Sequence, residues 1–185
     1  MKKQLSNIVK ALDHALARLE ALADATPADR WSTRNDPSRW SVAECVAHLN
    51  MTSEAYVPLI REAIVEAGSR QQSAREYAGT FIGRMFGALV GPLPSIGGRR
   101  IGRVKTPAEF VPSGDMEKDV VVAEFRRLQD ELTGLIREGD GLALDKVLIT
   151  SPFGGKVRYD CYSALVLIPR HQERHLQQAD AVWSA

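Results

Sequence analysis

The stretch Trp40-Ser41-Val42-Ala43-Glu44-Cys45-Val46-Ala47-His48-Leu49 sets where a helix starts and which side of it turns inward. Ser41 followed three residues later by Glu44 is a capping box, in which each side chain satisfies a free amide of the first turn. Trp40, just ahead of the cap, can fold over Cys45 as a hydrophobic staple. Val42, Cys45, Val46, Leu49, Tyr56, Ile60 and Ile64 then recur at helical spacing. This predicts a second helix from residue 41 to about 68, bent at Pro58.

Three similar patterns flank it. Leu5, Ile8, Val9, Leu12, Leu16, Leu19 and Leu22 predict a first helix over about 3–25, ended at Thr26-Pro27 because a residue before proline is pushed out of the α region. Val121, Phe125, Leu128, Leu132, Leu135 and Ile136 predict a third over about 116–138, closed by Gly139-Asp140-Gly141. A fourth runs from about 160 to 183, with Pro169 interrupting it. Residues 31–41 are polar with turn composition. Residues 142–158 form a connection centred on Ser151-Pro152-Phe153-Gly154-Gly155, with Val147-Leu148-Ile149 as a short extended piece. Four amphipathic helices without a strand set predict an all-α four-helix bundle filling one domain, 1–185, with a crossover connection permitted between helices two and three.

That connection, residues 69–116, differs in kind. It is rich in Gly and Pro and carries Arg70, Arg75, Arg84, Arg99, Arg100, Arg103 and Lys105 against Glu76, Glu109 and Asp115, a local charge of +4. Phe81 to Val90 can form one short helix within it. A segment this long reads either as a functional lid or as a solvated insertion. Arg99, Arg100 and Arg103 are candidate contacts for an anionic cosubstrate, against the plainer reading of a polar loop.

Composition narrows the function. The 185 residues are 44% apolar and 25% charged, and a chain this size needs neither disulfide nor metal staple. Two cysteines, Cys45 and Cys161, exclude a disulfide scaffold and a four-cysteine zinc site. A net charge of +1 argues against a general nucleic-acid binder. The basic segment offers few aromatics, among them Phe81, Phe86 and Phe110, so nucleic acid is not expected. No leader-like apolar core and no run long enough to span a bilayer is present, so the expectation is a soluble cytoplasmic protein without membrane partners.

The histidines carry the chemistry. His171 and His175 stand four apart on the fourth helix, which puts both rings on one face within reach of one metal ion. The plain alternative is a surface pair, because Arg170, Gln172, Glu173 and Arg174 make that turn polar. Both histidines nevertheless border the stripe of Ile168, Ala179 and Val182. His48 alone reads equally as a satisfied core-edge residue. Together the three supply nitrogen ligands from two helices and leave a position open, the pattern of a catalytic metal. Neutral imidazoles suit zinc, nickel, cobalt or iron alike. Each ring needs its other nitrogen tied down. Glu44 can do that for His48, although its capping role competes. Gln178 can reach the open position. Glu44 and Gln178 are therefore the candidate catalytic groups. Cys45 is a further candidate ligand or a buried staple residue. Cys161 reads as core or interface, and His14 as surface.

Trp40-Ser41-Val42-Ala43-Glu44 leading into Ala47-His48-Leu49, with His171-Gln172-Glu173-Arg174-His175-Leu176-Gln177-Gln178 and the Pro152-Phe153-Gly154 connection, resembles the DinB-like (YfiT-like) metalloprotein superfamily. The resemblance runs from the first helix to the last and leaves 69–116 uncovered. It implies a four-helix bundle in which His48, His171 and His175 bind a divalent metal (zinc, nickel, iron or manganese), and it implies frequent homodimers. Members include transferases and isomerases that use low-molecular-weight thiols, so a metal-dependent, thiol-dependent transferase or hydrolase acting on a small molecule is expected. The alternative is a non-catalytic metal- or ligand-binding stress-response module.

Overall fold

The apolar stripes condense into four long helices in a computed structural model that describes residues 1–70, 76–92, 95–96, 99–100, 105–112, 116–153 and 156–183, with 95–96 and 99–100 as backbone. In chain order the described elements are α1 Lys3–Ala25, α2 Ala28–Trp31, α3 Val42–Gly68, α4 Phe81–Val90, β1 Ser95–Ile96, β2 Arg99–Arg100, a 3-10 turn Ala108–Phe110, α5 Lys118–Glu138, β3 Leu148–Thr150, β4 Arg158–Asp160 and α6 Cys161–Trp183. Both strand pairs are antiparallel two-stranded hairpins, Ser95 opposite Arg100 and Ile149 opposite Tyr159. The architecture is the expected all-α one.

The capping box forms at the start of α3: the Glu44 amide donates to Ser41 Oγ, and the Ser41 amide donates to Glu44 Oε2 at 2.8 Å. Trp40 packs against the core cluster that contains Cys45. The polar stretch after α1 holds one short helix that periodicity did not reveal, α2, which places Trp31 in the core. Four residues are too few for a period to be read. The fourth helix runs unbroken through Pro169, which is itself buried. Proline costs one amide bond there, and the apolar neighbours Leu165, Leu167 and Ile168 hold the helix straight on by packing.

In the bundle, α1 and α3 each pack on both α5 and α6. Cross-helix contacts fix the directions. Lys2 reaches Asp140, Gln129 reaches Leu12 and Arg126 reaches Glu20, so α1 and α5 are antiparallel. Asn50 bonds the Val121 carbonyl and Arg61 bonds Glu131, so α3 and α5 run parallel. A 27-residue helix spans about 40 Å, and the chain must return that distance before α5 can begin in the same direction. The long basic segment is that return. It docks early: Gln4 exchanges two bonds with the Tyr77 backbone at 2.8 and 3.0 Å. Asp160, fully buried, accepts from the Thr80 amide and hydroxyl and from the Ser163 amide and hydroxyl.

The core divides into two clusters. One gathers Leu5 to Leu12, Tyr56 to Ala67, Leu128 to Ile136 and Cys161 to Ile168. The other gathers Ala15 to Ala23, Trp31, Val42 to Leu49, Val121, Phe125 and Leu176 to Val182. Each fully buried Leu, Ile or Phe contributes about 1.5–3 kcal/mol. At the join, Gln129 and Gln172 are both buried and bond each other's amides at 2.9 and 3.1 Å. The arrangement satisfies two buried amides and locks α6 to α5 one residue from His171.

Candidate metal centre

His48 comes from the second turn of α3, where the capping box fixes the helix start. His171 and His175 come from α6, antiparallel to α3 and facing it. Their ring centroids lie 4.6–5.2 Å apart, and each offers a ligand atom within 4.8 Å of the others. His48 and His175 are buried and His171 is half-buried. The sequence-predicted ligand set is therefore brought together in space. Trp40 closes one side, 4.9 Å from the His48 ring and stacked 5.8 Å from the His175 ring.

The free ring nitrogens decide what the cluster can hold. His48 Nδ1 lies 2.8 Å from the Phe110 carbonyl, and His171 Nδ1 lies 3.4 Å from the Val90 carbonyl. A carbonyl only accepts, so both Nδ1 atoms carry the proton. Both Nε2 atoms then present lone pairs, and they face each other at 3.1 Å. Two lone pairs so placed repel unless a cation lies between them. A shared proton would require an imidazolium. Burial and the neighbouring His48 ring push the His171 pKa down to about 3, and burial holds His48 and His175 below the ordinary imidazole value as well. The positive Arg174 lowers all three further, while Gln178 acts in the opposite direction on His175. The rings are neutral at pH 7. His175 Nδ1 is buried without a hydrogen-bond partner. Three neutral imidazoles, two with lone pairs aimed at one point and one with an unpaired buried nitrogen, fit a divalent metal ion.

The family model of the DinB superfamily matches residues 11–179. The chain belongs to the DinB superfamily. Neither a curated protein nor a solved structure matches it. The matched span of this DinB chain includes His48, His171, His175 and the crossover between α3 and α5.

The other candidates take definite places. Glu44 lies one turn before His48, but its carboxylate is held by the Ser41 amide and by Arg34, whose guanidinium keeps it below the usual carboxylate range. The group that ties down His48 is the Phe110 carbonyl. Gln178 is half-buried one turn beyond His175. Cys45 is fully buried in the second core cluster and is not among the clustered ligand atoms. Cys161 sits in the first cluster, its thiol pushed up to about 12 by burial. His14 is exposed. Arg103 lies outside the described residues, and for Arg99 and Arg100 the structure gives the backbone of β2.

Sequence reasoning missed the groups that support the histidines. The Val90 and Phe110 carbonyls carry no residue-type signal, since any residue supplies one. Phe86, Val90, Phe153 and Pro107 line a cavity of about 140 Å³ on the open side of the cluster, joined by Lys105 and Arg174. Phe153 was the legible one, lying in the Pro152-Phe153-Gly154 connection.

Proposed function

We propose that this chain is a divalent-metal-dependent enzyme acting on a small molecule, of the thiol-dependent transferase or hydrolase kind. The carrying observation is a three-nitrogen donor set that leaves coordination open beside a cavity. A bound divalent ion supplies Lewis acidity, which lowers the pKa of a thiol or water that reaches it. The chain's residues do the rest. His48, His171 and His175 hold the ion, and the Phe110 and Val90 carbonyls fix two of the rings so that Nε2 points inward. Phe86, Val90 and Phe153 line the cavity with apolar surface and restrict water. Gln178, one turn past His175 and outside the lining of the cavity, stays the candidate polar contact for a substrate in this reading, and Glu44 serves the start of α3. Homodimer formation, which the family resemblance implies, and a cytoplasmic location, expected from the sequence, belong to the same reading.

The test is conjugation or hydrolysis of small electrophiles with low-molecular-weight thiols, run on metal-loaded and metal-stripped protein. Turnover that returns on adding back zinc, nickel, iron or manganese and is absent from His171→Ala supports the reading. Metal uptake with neither conjugation nor hydrolysis would contradict it and would mark a binding module instead.

A further inference from the structure

Four of the nine large apolar side chains that stand exposed among the described residues belong to one ten-residue helix, α4. Phe81, Ile82, Met85 and Leu89 are 45–71% exposed. Helical periodicity gathers them into one stripe about 100° wide. The other side of α4 carries Gly83, Gly87 and Val90, all buried, and the helix packs on α6. A single exposed Leu needs no explanation, but a contiguous apolar stripe marks a contact surface.

The charge beside the stripe has one sign. From Tyr77 to Ala108 the sequence holds Arg84, Arg99, Arg100, Arg103 and Lys105 and neither Asp nor Glu, so the rest of a chain of net charge +1 is acidic on balance. Arg84 is exposed on α4, anchored by a 2.7 Å bond from its Nη1 to the Gly79 carbonyl. At the far end of the helix, exposed Arg170 lies so close that a Cβ on Gly91 would stand 3.1 Å from its Nε. Neither arginine has an ion pair among the described residues. The stripe and Arg84 are also absent from the cavity lining beside the histidines.

We infer that α4 docks on an anionic bilayer surface. Phe81, Ile82, Met85 and Leu89 enter the boundary between headgroups and acyl chains, and Arg84 and Arg170 meet the lipid phosphates. A bilayer of this kind takes the apolar stripe and the cations together. Nucleic acid takes only the cations, because Ile82, Met85 and Leu89 have no ring to stack on a base. A second copy fits less well. Four half-exposed side chains fall short of the about 800 Å² per partner of a stable interface, and a two-fold pairing would set like charges together. Surface docking needs no spanning run, and no helix among the described residues is long and apolar enough to cross a membrane.

Flotation of the full chain with vesicles tests this, using phosphatidylcholine alone and phosphatidylcholine mixed with phosphatidylglycerol. The proteins are wild type, Ile82→Ser combined with Met85→Ser, and Arg84→Gln, each with its melting temperature measured. Wild type is expected to partition at least about tenfold more strongly onto the anionic vesicles, by a margin that shrinks as salt is raised. The double variant is expected to lose about tenfold on those vesicles, and Arg84→Gln about fivefold. Both serine positions are exposed, so the double variant keeps its melting temperature and decides the test if Arg84→Gln unsettles the Gly79 turn. Equal partition onto both vesicle types, no partition onto either, or a double variant that binds like wild type would overturn the inference. Binding of a single-stranded oligonucleotide without vesicle binding would overturn it in favour of nucleic acid. A dimer that the double variant breaks, again without vesicle binding, would overturn it in favour of a second copy.

Discussion

The four-helix body and the crossover between α3 and α5 build one site by opposite means. The body supplies all three candidate ligands from helices whose positions are fixed by apolar stripes and a capping box. The crossover supplies none, yet both carbonyls that orient His48 and His171 belong to it, as does Lys105. The body buries most of its apolar residues, with Val65 and Val120 as exposed exceptions. The crossover exposes Phe81, Ile82, Met85 and Leu89 on α4, because the sides of that helix at Gly83 and Gly87 are the buried ones. At Gly83 a Cβ would lie 2.3 Å from Ser163 Oγ, so only glycine permits so close an approach of α4 to α6. The lesson is a division of labour: stability and ligand identity come from the body, while ligand orientation and charge come from the crossover.

The comparison breaks most sharply on stability. Leu132→Ala empties a fully buried site in the body and is expected to cost about 2–5 kcal/mol in urea unfolding. If it costs no more than a surface change, the body is not what holds the fold. Phe110→Ala probes the crossover's function. The Phe110 ring packs 4.6 Å from Phe153 and so holds its own carbonyl at His48. Losing that anchor is expected to weaken zinc affinity by about 10–100-fold, the usual effect of removing a group that orients a metal ligand, as read by competition with a chromophoric chelator.

A smaller effect separates the two roles open to Glu44. Glu44→Ala removes half the capping box and is expected to cost about 1 kcal/mol with zinc affinity unchanged. Arg34 holds the Glu44 carboxyl below its ordinary value, so the folded state binds that proton less readily than the unfolded one. Its contribution is therefore full above the ordinary carboxylate pKa and is lost as pH falls through the lowered one. The stability gap between wild type and Glu44→Ala should narrow below about pH 4. A gap that widens there would show the carboxylate acting elsewhere. Smallest of all, Met85→Ala on the exposed face of α4 is expected to stay within about 0.5 kcal/mol of wild type in the same urea assay.

Much of this was legible in residues. Ser41 and Glu44 announced the start of α3 by reciprocal side-chain chemistry, and the spacing of Leu5 to Leu22 and of Val121 to Ile136 announced two further helices by period alone. His171 and His175 announced a face. The rest is long-range. Nothing in the sequence says that α3 and α5 run parallel, and that direction is what makes residues 69–116 a return path. Gln172 read as part of a polar surface turn, yet it is buried because Gln129 faces it from another helix. Pro169 read as an interruption, yet tertiary packing carries the helix through it. The carbonyls of Val90 and Phe110 lie beyond any reading of side chains.

The central claim is that His48, His171 and His175 form one metal site whose lone pairs are already aimed. Elemental analysis of protein purified without a histidine tag, paired with zinc and nickel titration, tests it most directly. The account predicts one divalent ion per chain in wild type, about none in His171→Ala, and a raised melting temperature on adding metal to wild type alone. A wild-type protein that carries no metal and melts at the same temperature with and without added zinc or nickel would contradict it.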